Sequence, residues 1–214
     1  VCLGERDCSI QRKNQKLIEE SPSPAVHDDQ RRDIFAKVRR AVREVGYVGI
    51  GTLEFLYDSG GHFYFMEMNV RLQVEHTVTE SLTQIDLVKW QIRVASGIEL
   101  DFTQEEIDLR GSSIECRINA LSPGKVGFLH VPGGPFVRFD TYLTAGAQVT
   151  PYYDALLGKL VIYANTREEA LRKMKAALCE LGIDGVKSNI AEQIAIVGSA
   201  DFMSGDYNLD FFNK

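Results

Sequence analysis

Apolar and polar residues alternate along much of this chain, and the rhythm changes at readable points. From Phe63 to Glu75 the polar residues Glu67, Asn69, Arg71, Gln73 and Glu75 occupy every second position. Met66, Met68, Val70, Leu72 and Val74 fill the places between. In an extended backbone alternate side chains share a face, so the pattern predicts a strand that runs into a polar loop. Gly49 to Tyr57 reads as the preceding strand, with Asp58-Ser59-Gly60-Gly61 as the turn between them. That turn would pair Tyr57 with His62 and set Glu54 opposite Phe65, with Glu67 diagonal to Glu54. Leu53, Phe55, Tyr64, Met66 and Met68 would form the apolar side of the hairpin.

Elsewhere the period lengthens to that of a helix. Ile34, Val38 and Val42 predict a helix from about Asp28 to Val45, after the chain break at Ser21-Pro22-Ser23-Pro24. Ile85, Leu87, Val88, Trp90, Ile92 and Ala95 predict one helix from Glu80 to Gly97. Arg167 to Leu181 and Ser188 to Val197 read as two more, the first with Ala170, Met174, Ala177, Leu178 and Leu181 inward. Strands are expected over Val1–Ile10, Lys16–Glu20 and Ser113–Ala120. The last puts Glu115, Arg117 and Asn119 on one face. Val126 to Tyr142 reads as a hairpin turning at Pro132-Gly133-Gly134-Pro135. Asp154 to Ala164 reads as a helix-to-strand element. The polar run Asp101–Arg110 suggests a boundary between residues 1–105 and 106–214.

Composition narrows the class. The chain has 214 residues, 44% hydrophobic and 25% charged, with a formal net charge of −6. This is the make-up of an ordinary folded domain or pair of domains. Mild acidity argues against nucleic-acid binding, which wants a basic surface. No apolar run reaches the length that spans a bilayer, and the N-terminus lacks the shape of a signal peptide. Cys2, Cys8, Cys116 and Cys179 show no metal-ligand spacing and read as reduced thiols of a cytoplasmic protein. There is no initiator Met, and the chain opens within an expected strand, so it reads as a fragment.

The hairpin carries the chemistry. Diagonal cross-strand positions lie roughly 7–8 Å apart, close enough for Glu54 and Glu67 to reach one divalent ion. Magnesium favours one or two protein carboxylates with phosphate oxygens completing its shell. The alternative is two unrelated surface glutamates.

At this point the motifs resemble a known family. E-M-N-V-R-L-Q-V-E-H-T-V-T-E resembles the active-site signature of biotin carboxylases, members of the ATP-grasp superfamily. G-E-R-D-C-S-I-Q-R-K-N-Q-K, I-E-C-R-I-N-A, P-Y-Y-D-A-L-L-G-K-L and T-R-E-E-A-L-R-K-M-K-A-A-L extend the likeness along nearly the whole chain. The resemblance implies an α+β fold: the C-terminal half of an ATP-grasp domain, with antiparallel sheet and helices, followed by a mixed α/β C-terminal domain. It implies ATP- and bicarbonate-dependent carboxylation of biotin on a carrier protein, with Mg2+, or Mn2+ in its place. Glu54, Glu67 and Asn69 would hold the metal. Gln11, Asn14, Leu56 and Leu209 would join Glu54 and Glu67 around the nucleotide, with Asn14 where many members have histidine. Lys16, Arg71, Gln73 and the Val74 backbone would bind bicarbonate. Glu75 would deprotonate it, and Arg117 would stabilise the biotin enolate. His76 falls opposite Glu75 on an extended backbone and reads as structural. Arg138 matches a position at a dimer interface. A carboxyltransferase component, a homodimer and the acetyl-CoA branch of fatty acid synthesis are expected. The pyruvate and propionyl-CoA enzymes, carbamoyl phosphate synthesis and a non-catalytic dimerisation module are the alternatives. After Ala120 the chain departs from the family, reaching Ser122-Pro123-Gly124-Lys125 about seven residues early.

Overall fold

The computed structural model describes residues 1–213. β1 (Asp7–Arg12) and β2 (Gln15–Ser21) form a tight hairpin, with Lys13 and Asn14 both in left-handed conformations at its tip. α1 (Asp28–Glu44) begins where the Gln30 side chain accepts a hydrogen bond from the His27 backbone N at 3.1 Å. β3 (Thr52–Tyr57) and β4 (Phe63–Asn69) make the second hairpin. α2 (His76–Thr83) and α3 (Leu87–Ala95) follow, then β5 (Ser112–Asn119). Beyond it lie β6 (Gly124–Lys125), β7 (Phe128–His130), β8 (Val137–Thr141), β9 (Gln148–Val149) and β10 (Leu156–Ala164). The chain closes with α4 (Arg167–Glu180), β11 (Gly182–Asp184), α5 (Ile190–Val197) and α6 (Ala200–Ser204).

The main sheet has five strands in the order β1-β2-β5-β10-β8, all pairs antiparallel. It therefore runs across the boundary read from the polar connector, since β2 is hydrogen-bonded to β5. Its interior strands carry Ile18, Ile114, Cys116, Ile118, Leu160 and Ile162 into one core with Met174, Leu178 and Phe202. Every inward position expected on α4 is buried. Removing that much apolar surface from water is the main force holding the helix to the sheet.

Several expected elements differ. Residues 1–6 form no strand, and regular pairing starts at Asp7. The single helix over 80–97 is two, because Gln84 turns left-handed and the Asp86 side chain caps α3 by accepting from Lys89 N at 2.8 Å. Residues 126–142 are not a hairpin: β7 pairs with β11, and β8 pairs with β10. The Asp154–Ala164 segment contains no helix, only the strand β10. Tyr64 and Met66 are exposed and Leu53, Phe55 and Met68 half-buried, so that side of the second hairpin is not a core.

Candidate active site

The second hairpin pairs differently from the simplest turn geometry. Tyr57 lies opposite Phe63, and an irregularity between Glu54 and Phe55 leaves Met66 without a partner. The extra residue brings Glu67 directly opposite Glu54, rather than diagonal to it. Asn69 then bridges them, its Nδ2 donating to Glu54 Oε1 at 3.1 Å and to Glu67 Oε1 at 3.0 Å. The strand ends at Asn69, so the alternation through Arg71, Gln73 and Glu75 does not continue as one extended face.

The loop after it turns back on the same carboxylate. Gln73 Nε2 donates to Glu54 Oε1 at 2.7 Å, and Arg6 Nη2 donates to Gln73 Oε1 at 2.5 Å. Arg71 Nη2 donates to Asn69 Oδ1 at 3.1 Å. Lys16, reaching from β2, donates to Glu54 Oε1 at 3.1 Å and to Glu75 Oε1 at 2.7 Å. On the far side of Glu75, Arg117 Nη2 donates to its Oε2 at 3.0 Å, and Arg117 Nε donates to Glu19 Oε1 at 2.7 Å. One polar line thus runs from Glu67 through Asn69, Glu54, Lys16 and Glu75 to Arg117. It joins three segments far apart in sequence. The backbone carbonyl of Val74 is held by Lys159 Nζ at 2.7 Å.

The remaining expected residues are placed less centrally. Gln11 stands opposite Lys16 in the β1–β2 ladder, and Leu56 opposite Tyr64. Asn14 is exposed at the hairpin tip, and Leu209 is exposed beyond α6. No described contact links Asn14, Leu56 or Leu209 to the polar line. His76 is turned away from it: Nδ1 meets the Gln73 carbonyl at 2.9 Å. Arg138 pairs with Glu80 at 2.7 Å and with Asp140.

Electrostatics separate the acids. Burial pushes Glu75 upward, but the Lys16 hydrogen bond and the charges of Lys16 and Arg6 outweigh it and leave the carboxyl below its ordinary range. Burial pushes Glu19 up to about 7 against the pull of Arg117, and Glu115 up to about 8 with the charge of Glu19 adding to the rise. Lys16 is raised, its acidic neighbours outweighing its burial.

Reading the sequence assigned no site role to Arg6, Glu19, Glu115 or Lys159. Glu115 sits in the strand with Arg117, two residues away. Glu19 is the one of an adjacent acid pair whose side chain faces Arg117, while Glu20 faces the opposite side and binds Arg167 at 2.7 Å. Only the order of strands in the sheet reveals which is which.

The oxygen-rich set of Glu54, Glu67 and Asn69 suits a hard divalent cation, and opposed carboxylates in the hairpin fit magnesium. Among the described residues there is no group of three or more His, Cys, Asp or Glu able to hold a metal. A cation here would draw further oxygens from a bound phosphate.

Two family models match most of the chain. Residues 1–103 match the carbamoyl-phosphate synthase L chain ATP-binding domain, and residues 115–214 match the biotin carboxylase C-terminal domain. The second match, with the curated relatives, decides the family. The chain belongs to the biotin carboxylase family. It is 48% identical over its whole length to the biotin carboxylase of Haemophilus influenzae and 49% identical to the chloroplastic biotin carboxylase of Arabidopsis thaliana. It spans about half the length of the curated bacterial relatives it matches, covering 49% of the Haemophilus influenzae protein. The Haemophilus influenzae alignment extends over 221 positions against 214 residues here, so the relative carries extra residues. The fold matches the biotin carboxylase domain of a thermophilic 2-oxoglutarate carboxylase bound to bicarbonate, with a TM-score of 0.97 and 45% identity. That match covers 99% of this chain and 49% of that one. The biotin carboxylase subunit of pyruvate carboxylase matches with a TM-score of 0.97 at 43% identity, over 99% of this chain and 49% of that one. This likeness agrees with the α+β, ATP-grasp architecture expected from the motifs. No helix among the described residues is long and apolar enough to cross a membrane.

Proposed function

We propose that the protein bearing this segment carboxylates biotin on a biotin carboxyl carrier protein, using ATP and bicarbonate. Residues 1–105 would be the end of its ATP-grasp domain and residues 106–214 its C-terminal domain, the two sharing one sheet. The observation that carries the reading is the 3.0 Å contact between Arg117 and Glu75, joined through Lys16 to Glu54.

Glu54, Glu67 and Asn69 would hold the magnesium that accompanies the nucleotide. When bound, that cation would neutralise phosphate charge. Gln11, Asn14, Leu56 and Leu209 complete the proposed nucleotide surface. Arg71 offers a planar fork matched to a planar anion, and Lys16, Gln73 and the Val74 backbone border the same space. Glu75 is ionised across the neutral range and can take the bicarbonate proton. An anion settling beside Lys16 would loosen that lysine's hold on Glu75 and make the carboxylate a better base. Arg117 supplies a fixed guanidinium charge for the negative oxygen that develops on biotin.

The finer assignment is to the first half-reaction of acetyl-CoA carboxylase in fatty acid synthesis, as a cytoplasmic homodimer with a carboxyltransferase component. Support comes from curated relatives that are themselves named biotin carboxylases. The named carboxylases of pyruvate and 2-oxoglutarate among structural relatives keep those branches as the second reading. The test is Arg117→Ala in the full-length protein. Carboxylation of free biotin should vanish while ATP binding persists; near-normal carboxylation would refute the assignment.

A further inference from the structure

Behind Arg117 lie two acids that the proposed chemistry does not use. Glu19 on β2 and Glu115 on β5 face each other directly in the sheet ladder, and both are 0% exposed. Residues so paired have Cβ atoms about 4.5–5.5 Å apart. Each carboxyl has one oxygen engaged: Glu19 Oε1 accepts from Arg117, and Glu115 Oε2 accepts from Thr77 Oγ1. The other two, Glu19 Oε2 and Glu115 Oε1, are buried without a hydrogen-bond partner. A buried carboxylate oxygen without a donor is costly, and two ionised carboxylates side by side in a dry interior repel. One proton between the orphan oxygens removes both penalties.

Resting on the functional reading above, we propose that Glu19 and Glu115 share one proton and act together as positioning residues that hold Arg117 for the biotin step.

The charged surroundings fit a pair bearing a single negative charge. Arg117 divides its guanidinium between Glu19 and Glu75. Lys16 is committed to Glu75 and Glu54, and Lys159 to the Val74 carbonyl. Cys8 and Cys116, the remaining titratable groups beside the pair, are buried thiols pushed well above their ordinary range by burial and by these acids. The charge of Lys159 also favours ionised Glu115, but its hydrogen bond goes to the Val74 carbonyl and not to either acid, so neither orphan oxygen gains a donor from it. When the shared proton leaves, the extra charge draws Arg117 toward Glu19 and weakens its field at the biotin oxygen. The pair is thus a buried acid whose state sets how much of Arg117 faces the substrate.

The test is infrared difference spectroscopy of the full-length protein labelled with carbon-13 glutamate. At neutral pH the wild type should show one buried protonated carboxyl. That band should disappear as pH rises past about 7 to 8, the range to which burial raises these carboxyls, as the shared proton leaves. In Glu115→Gln, and separately in Glu19→Gln, the amide supplies the missing donor, the partner ionises and the band should be lost at neutral pH. The alkaline fall of kcat for biotin carboxylation should vanish with it in Glu115→Gln, while KM for bicarbonate stays put. A wild type with no protonated carboxyl, or a band that survives in both variants, overturns the proposal. Should one variant fail to fold, the wild-type band and the other variant still decide. A band that behaves as expected in a protein that fixes no carboxyl onto biotin would uphold the shared proton and sink the positioning role with the functional reading.

Discussion

At the scale of single residues, Glu75 is the hinge of the site. It accepts from Lys16 at 2.7 Å and from Arg117 at 3.0 Å, so it links the proposed bicarbonate space to the proposed biotin side. Lys16→Met removes a charge-assisted hydrogen bond of about 1.5–3 kcal/mol. In the full-length protein KM for bicarbonate should rise by about 10- to 100-fold, read by steady-state kinetics, with the KM for ATP far less affected. Much of this residue-level picture was legible in the chain, because Glu67, Asn69, Arg71, Gln73 and Glu75 carry chemistry at regular spacing. Their common face was not. Beyond Asn69 the residues converge by a turn and by contacts to Lys16 and Glu54, which periodicity cannot express.

At the scale of elements, β2 shows how a sheet handles charge. Glu19 and Glu20 are adjacent and both buried, and each meets an arginine on its own face, Arg117 on one and Arg167 on the other. Arg167 Nε and Nη2 clamp Glu20 at 2.7 and 2.8 Å, and Tyr207 Oη donates to the same carboxylate at 2.5 Å. Arg167→Ala leaves a buried charge uncompensated and should cost about 3–5 kcal/mol, measured as a lowered urea midpoint at constant slope. An unchanged midpoint would mean that the clamp contributes no net stability. Helices were readable where one apolar stripe ran the full length, as in α4. The break at Gln84 was not readable, because a left-handed glutamine leaves no periodic trace. The pairing of β8 with β10, and of β7 with β11, was hidden because partners so distant in sequence leave no local signal.

At the scale of the whole molecule, the buried acids give stability a pH dependence with a definite sign. Glu19 and Glu115 bind protons more tightly folded than unfolded, since burial raises both. Their contribution is full below the ordinary carboxyl range and is lost as pH rises through about 7 to 8. Glu75 is lowered, so its contribution is present above the ordinary range and lost on acidification. Urea midpoints should therefore decline from pH about 5 to about 8, and Glu115→Gln should flatten that decline. A wild-type midpoint that climbs over this interval would contradict the burial of these acids.

The central claim is that this constellation serves ATP-driven transfer of a carboxyl group to biotin. The most direct measurement supplies the full-length protein with radiolabelled bicarbonate, MgATP and free biotin, and counts label in carboxybiotin against ATP consumed. The account predicts label on biotin that requires both ATP and bicarbonate and disappears with Arg117→Ala. ATP consumption that neither responds to biotin nor places label on it would contradict the account.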